Sequence, residues 1–280
     1  MDSSYLSFLI FIIITILYYM VLKPKLNISA YDDQSGEQYA AYNSSSNTAL
    51  FIYFLFIVLS QIGINASVMV NKCGGSIMQN MGSAFLMTLI PWFFIFGGVV
   101  VCLMIFPGFK SAFSNVIGYF AVSNTANNVL SELLVNTDLN QTINAITDAA
   151  PEKKASLKSA AEAIIKMSGN MSIMINQIVP SNFMDYWSML LPLMKEQYQT
   201  GASDMKQQLL DVVVARDNIG EALWYVYTAI LLISITQYNI MSKPCQKDLA
   251  TMQQSQNEYI KTKKQIDSES KKANSKIYTL

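Results

Sequence analysis

The sequence predicts an all-α protein with about four transmembrane helices and a helical extramembrane domain inserted between the third and the fourth. Three observations carry that reading. Of 280 residues 52% are hydrophobic and only 14% charged, where an ordinary soluble domain carries about 25% charged residues. Many apolar residues come in long runs rather than at amphipathic spacing, so the excess must face lipid. Between the third and fourth runs charges return and apolar residues take helical spacing.

The first anchor occupies residues 1–25. Positions 4–22 hold no charge and end at Lys23-Pro24-Lys25, and at about 1.5 Å per residue such a run nearly crosses a hydrocarbon core about 30 Å thick. A cleaved signal peptide would want a basic start and an apolar region of about 7 to 15 residues. The start here is Met1-Asp2-Ser3 and the run is longer, which favours a retained anchor. Residues 26–48 are polar, small and poor in aliphatics, and read as an exposed loop.

Residues 49–106 read as a transmembrane hairpin. Its first arm runs from Ala49 to about Val70, and within it Gln61 and Asn65 lie on one helix face. Polar side chains at membrane depth need partners, so that face is expected against another helix. A link from Asn71 through Gly74-Gly75 to Ser83 turns the chain back into a second arm, Ala84 to Phe106. Pro91 permits a kink there, Gly97-Gly98 permit close helix approach, and Trp92 is a candidate interfacial aromatic. Phe106-Pro107-Gly108-Phe109-Lys110 ends the arm with breakers and a cation.

Residues 107–221 form the expected helical domain, a usual size for one domain. Leu130, Leu133 and Leu134 make one apolar stripe, and Leu139, Ile143 and Ile146 another. Pro151-Glu152 opens a helix continued by Leu157, Ala160, Ala161, Ile164 and Ile165, and Pro180-Ser181-Asn182 opens the next. Ser203 is a plausible cap for a last helix. That helix should continue unbroken through Val212, Asn218 and Ile219 into the fourth span, residues 222–241, with Trp224, Tyr225 and Tyr227 as an interfacial belt. Residues 242–280 are a lysine-rich polar tail, partly helical or disordered. The charge cues for orientation conflict: the tail argues that the termini are cytoplasmic, whereas Lys23 and Lys25 argue that the first loop is. Glycosylation triplets at Asn27, Asn43, Asn140 and Asn170 do not decide between them.

Chemistry is sparse. The chain has no histidine, which removes the commonest general base and metal ligand together. Cys73, Cys102 and Cys245 are far apart and odd in number, so they suggest neither a disulfide framework nor a metal pair, and they point to a reducing compartment. Phosphate-loop, dinucleotide, nucleophile-elbow and zinc-protease motifs are all missing. Glu152 and Glu162 sit among Lys153, Lys154, Lys158 and Lys166 as a solvated face. The sequence therefore argues against an enzyme and implies no cofactor, and its zero net charge gives no reason to expect nucleic acid.

Gln61, Asn65, Thr228, Ser234, Thr236, Gln237 and Asn239 could line a pore or join helices. No acidic or basic residue lies inside a span, which favours joining, and Gln61, Asn65, Gly97, Gly98, Thr236 and Asn239 are the expected helix-packing set. Methionines 167, 171, 174, 184, 189, 194 and 205 fill a core or make an adaptable binding surface. Cys245, just past the last span, is a candidate for acylation.

Two stretches carry a resemblance. One runs Phe106-Pro107-Gly108-Phe109-Lys110-Ser111-Ala112-Phe113-Ser114-Asn115-Val116-Ile117-Gly118-Tyr119. The other runs Arg216-Asp217-Asn218-Ile219-Gly220-Glu221-Ala222-Leu223-Trp224-Tyr225 and on through Ser234-Ile235-Thr236-Gln237-Tyr238-Asn239-Ile240 to Cys245. Over residues 85–245 the chain resembles a family of membrane proteins encoded by nucleocytoplasmic large DNA viruses, such as the algal and amoebal giant viruses. The resemblance implies a structural virion protein in or beside the internal membrane beneath an icosahedral capsid. Its partners would be the lipid bilayer, capsid or minor capsid proteins, and further copies of itself. A channel or fusion factor acting as the virus penetrates its host is the alternative.

The two junctions between domain and membrane differ. Phe106-Pro107-Gly108 should hinge one, whereas no proline interrupts Ser203 to Met241 and Gly220 costs only about 1 kcal/mol in a helix. Gly220→Pro should impair assembly far more than Gly108→Ala, because an interior proline costs about 3 kcal/mol and kinks the helix. Particle yield at equal expression and insertion measures this; equal yields would deny the helix a mechanical role.

Overall fold

A computed structural model of the protein describes residues 3–32, 36–134, 170–245 and 249–277. These are helical throughout apart from short connections and one isolated bridge between Leu134 and Met194. Four helices are long and apolar enough to cross a membrane: α1 (Ser3–Leu22), α3 (Glu37–Cys73), α4 (Ile77–Ile105) and α9 (Ser203–Ser242). The stripe at Leu139, Ile143 and Ile146, the helix opened by Pro151, the Glu152 and Glu162 face, and Met167 lie outside the described residues.

Several boundaries differ from those read in the sequence. The loop expected over 26–48 contains α2 (Ser29–Asp32) and the first turns of α3, which begins at Glu37. These turns are mostly solvent-facing, so their polarity reflects an exposed helix continuing out of the span. The link expected from Asn71 to Ser83 is a much tighter turn. Gly74 and Gly75 take φ of 74° and 81°, a region that only glycine adopts freely. Ser76 then caps α4, its Oγ accepting from the Gln79 amide while Gln79 Oε1 accepts from the Ser76 amide. Likewise α9, which follows the short α8 (Glu196–Gln199), begins at Ser203 itself, behind Ala202, with Gly201 turning the chain at φ 90°.

The kink expected at Pro91 takes the form of a π turn over Trp92–Phe96, a usual response to a missing backbone donor. Trp92 is fully buried rather than interfacial. It packs with Phe11 and Phe96 at the centre of the four-helix bundle, where Tyr53 and Tyr225 complete the cluster. Tyr225 is thus also removed from the expected belt, while Tyr227 stays exposed.

A second core belongs to a helical domain formed by α5 (Tyr119–Leu133), α6 (Met171–Gln177), α7 (Phe183–Leu190) and the first half of α9. Leu130, Leu133 and Leu134 are buried there, as are Met174, Met194 and Met205, which fill the core rather than face a partner; Met189 is exposed. Residues 26–31 dock onto this domain: Gln207 bonds the Ile28 amide and the Leu26 carbonyl, and Tyr31 donates to the Pro180 carbonyl at 2.6 Å. Helices α3 and α9, 37 and 40 residues long, each extend about 55 to 60 Å at 1.5 Å per residue. Both therefore run past the apolar bundle.

Polar side chains inside the bundle bond to one another. Ser7 donates to Gln61, whose amide donates to the Ser7 carbonyl at 3.1 Å. Asn65 donates to Thr88 Oγ1 at 2.9 Å and accepts from Gln237 at 3.1 Å, and Ser3 donates to Gln237 at 3.2 Å. Every pair joins two different helices among α1, α3, α4 and α9. The rest of the expected packing set divides. Thr236 is buried, with its hydroxyl unpartnered among the described residues. A Cβ on Gly97 would meet the Phe54 ring at ordinary distance, so close approach does not require glycine there. Gly98 and Asn239 are exposed, with open space where a Cβ on Gly98 would fall, so neither joins helices. Helical periodicity carries both past the contact face.

Parallel α3 and α9 end together, which brings Cys73 and Cys245 into a disulfide across 172 residues with a Cα–Cα distance of 5.3 Å. This corrects both the unpaired reading of the cysteines and the acylation candidate, because the Cys245 sulfur is already bonded. Spacing in the sequence could not reveal a pair made by helix ends. Lys72 reinforces the junction by donating to the carbonyls of Ile240, Met241 and Lys243.

Asn65→Ala should lower the stability of the detergent-solubilised protein by about 1 kcal/mol, within the range for side-chain bonds between apolar helices. Ser234→Ala should change little, since Ser234 is exposed and bonds only its own helix. Equal thermal midpoints for the two variants would remove the role assigned to Asn65.

Candidate functional site

The site lies at the neck between bundle and domain, and the chain segment that builds it begins at Phe106. There the helix ends with φ −120° and ψ 75°, and a 3-10 turn over Pro107–Lys110 redirects the chain. The helical turn Ser111–Phe113 and the π turn Ser114–Gly118 then lay the chain across α9. Two glycines permit this crossing. A Cβ on Gly220 would fall 2.6 Å from Ser114 Cβ and 2.9 Å from the Lys110 carbonyl oxygen, and one on Gly118 would fall 2.6 Å from the Arg216 carbonyl oxygen. Trp224 fixes the outer edge, its indole N–H donating to the Phe109 carbonyl at 2.9 Å and its ring packing edge-on against Phe113. The two stretches singled out in the sequence are thus one interlocked unit.

Charge closes the neck. Asp217 and Glu221 are four apart on α9 and so share a face. Lys110 Nζ lies 3.3 Å from Asp217 Oδ2 and 2.6 Å from Glu221 Oε2, and Lys23 Nζ lies 3.1 Å from Glu221 Oε1. Tyr19 donates to the same carboxylate at 3.0 Å. The end of α1, the turn after α4 and the middle of α9 therefore meet on Glu221, whose side chain is only 6% exposed. Burial pushes the Lys110 ammonium down, but Glu221 and Asp217 outweigh it and hold Lys110 above its ordinary value.

Arg216 points the other way, into the domain. It is fully buried, and its terminal nitrogens donate to the carbonyls of Ile175 and, at 2.8 Å, Ile178. It thereby satisfies carbonyls at the C-terminal end of α6. Beside the clamp opens a cavity of about 690 Å³, lined by Tyr42, Ser46, Ser114, Asn176 and Arg216 among others, with Leu50, Leu103 and Met104 on its apolar side.

This arrangement joins three elements. The ionisable groups are one another's partners, and among the described residues no three Asp, Glu or Cys side chains are placed to hold a metal ion. Sequence reading missed Glu221, Asp217, Arg216, Lys23 and Lys110 as a group. The available signal was that Lys23, Lys110 and Glu221 each flank an apolar run at the same end of the bundle. No family model, characterised protein or solved structure matches the chain.

Two variants probe the neck. Glu221→Gln leaves Lys23 and Lys110 without their shared carboxylate and should cost about 3 kcal/mol, as breaking a buried pair does. Gly220→Ala should also destabilise, although alanine is the better helix former, because its Cβ meets backbone; Gly108→Ala, which faces open space, should not. Thermal unfolding in detergent measures both, and a stabilised Gly220→Ala would show that the crossing is not close.

Proposed function

We propose that this is an integral membrane protein with a structural role, which anchors a helical domain to a bilayer at a fixed angle. One observation carries the reading: the four-helix bundle turns its few polar side chains inward, around an aromatic core, and exposes apolar side chains around its outside. Gln61, Asn65, Thr88 and Gln237 are buried, Gln61 bonded to Ser7 and Asn65 to both Thr88 and Gln237, while Phe56, Leu59, Phe94, Ile105 and Ile230 are more than half exposed around the outside. Water would penalise so large an apolar surface; a hydrocarbon solvent would accept it.

The neck favours a mechanical role over a catalytic one. Helix α9 passes from domain to bundle without a break, and the Lys110 clamp ties the other chain junction to it, so force on the domain reaches the bundle. Together with the resemblance to large DNA virus membrane proteins, this supports a protein of the internal virion membrane whose domain contacts minor capsid proteins and links membrane to shell. Among the polar groups that a channel would need, Gln61, Asn65 and Gln237 are engaged across the bundle and Thr228 and Ser234 bond within their own helix, which disfavours that alternative.

Alkaline carbonate extraction of the expressed chain should leave it in the membrane pellet, and immunoblotting should find it in purified virions. Release by carbonate would overturn the membrane anchor. Consistent absence from virions, with the chain in the pellet, would overturn the virion role alone.

A further inference from the structure

We propose that the cavity beside the clamp binds a phospholipid headgroup through its phosphodiester, and favours headgroups that carry a hydrogen-bond donor. The inference rests on the membrane reading above. The cavity has the polarity such a ligand needs: Leu50, Leu103 and Met104 belong to the apolar helices, and Tyr42, Ser46, Asn176 and Arg216 to the polar side. Its charges do not cancel. Two carboxylates in its lining, Asp217 and Glu221, are paired with Lys23 and Lys110, and Arg216, bonded only to neutral carbonyls, leaves one positive charge over; a phosphodiester supplies one negative charge.

The free hydrogen-bonding groups match as well. Arg216 is fully buried, yet its Nε–H has no acceptor among the described residues, and a phosphate oxygen is one. Asn176 donates through Nδ2 to the Asn115 carbonyl at 3.1 Å, but its Oδ1 accepts nothing. Glycerol, serine, ethanolamine and inositol headgroups offer a donor to it; choline does not.

The test is thermal unfolding of the purified full chain in detergent with added lipid. Dioleoyl phosphatidylglycerol should raise the midpoint. Dioleoylglycerol, inorganic phosphate and dioleoyl phosphatidylcholine should raise it less or not at all. Ser46→Glu, which sets a carboxylate at the cavity wall, should lose the rise, and Ser46→Gln should keep it. An equal rise with dioleoylglycerol would show that only chains are bound. One with inorganic phosphate would show a free-anion site, and one with phosphatidylcholine would remove the donor requirement. A rise that survives Ser46→Glu would place the lipid elsewhere. Carbonate extraction tests membrane anchoring separately, so failure of the lipid site leaves that reading intact.

A different observation fixes the orientation. The Cys73–Cys245 disulfide lies at the bundle end away from the domain, and we infer that this end faces an oxidising compartment while the domain faces the cytosol. In forming the bond the two thiols give up two protons and two electrons to the disulfide of an oxidoreductase, which leaves as a dithiol. Such bonds persist where thiols are not kept reduced. Lys23 and Lys25 then lie on the cytosolic side, in accord with their charge, and the lysine-rich tail that follows Cys245 starts on the other, so the disulfide decides between the two opposed charge cues.

The experiment uses the Cys102→Ala chain in sealed microsomes, reduced with a permeant reagent and then treated with an impermeant maleimide. Protection of Cys73 and Cys245 until detergent is added is the expected result. Labelling in sealed vesicles, or failure to find the disulfide on non-reducing gels, would overturn the orientation.

Discussion

Everything at the neck depends on how closely the segment after α4 can approach α9. At Gly220 and Gly118 the two backbones come within a distance that no Cβ would tolerate. That approach brings Lys110 onto Asp217 and Glu221, and it lets Trp224 reach the Phe109 carbonyl. Remove the contact, and the lysine loses both carboxylates. The charged cluster is therefore a consequence of the packing as much as a cause of it.

Buried ion pairs are a poor source of net stability, because desolvating each ion costs several kcal/mol that the attraction must first offset. Their value here is positional. Glu221 accepts from Lys23, Lys110 and Tyr19 at once, so only one arrangement of three chain segments satisfies it. Apolar packing could hold the same segments together, but it would tolerate sliding. A charge cluster among apolar helix ends does not.

The bundle follows a related logic with weaker groups. Gln61, Asn65, Thr88 and Gln237 are polar groups on apolar helices, and the helices are rotated so that Gln61 meets Ser7 and Asn65 meets Thr88 and Gln237. The aromatic cluster of Phe11, Tyr53, Trp92, Phe96 and Tyr225 then fills the centre. The disulfide and Lys72 close the far end. Polar pairing sets the register, aromatic volume fills it, and covalent closure limits its opening.

By itself the sequence determined the all-α class, the four apolar helices, the break at Phe106-Pro107 and the unbroken passage of α9, because each follows from local properties: run length, hydropathy and the presence or absence of proline. Gln61 and Asn65 were legible as a contact face for the same reason, since helical geometry alone puts them together. What only the tertiary structure decided is which residues meet across the chain. Cys73 pairs with Cys245, Lys110 with Glu221, and Gly220 with Ser114, while Gly98 and Asn239, equally suggestive in the sequence, face outward. Those outcomes depend on the rotation and depth of whole helices relative to one another, and that is fixed by the sum of many distant contacts, which no local pattern records.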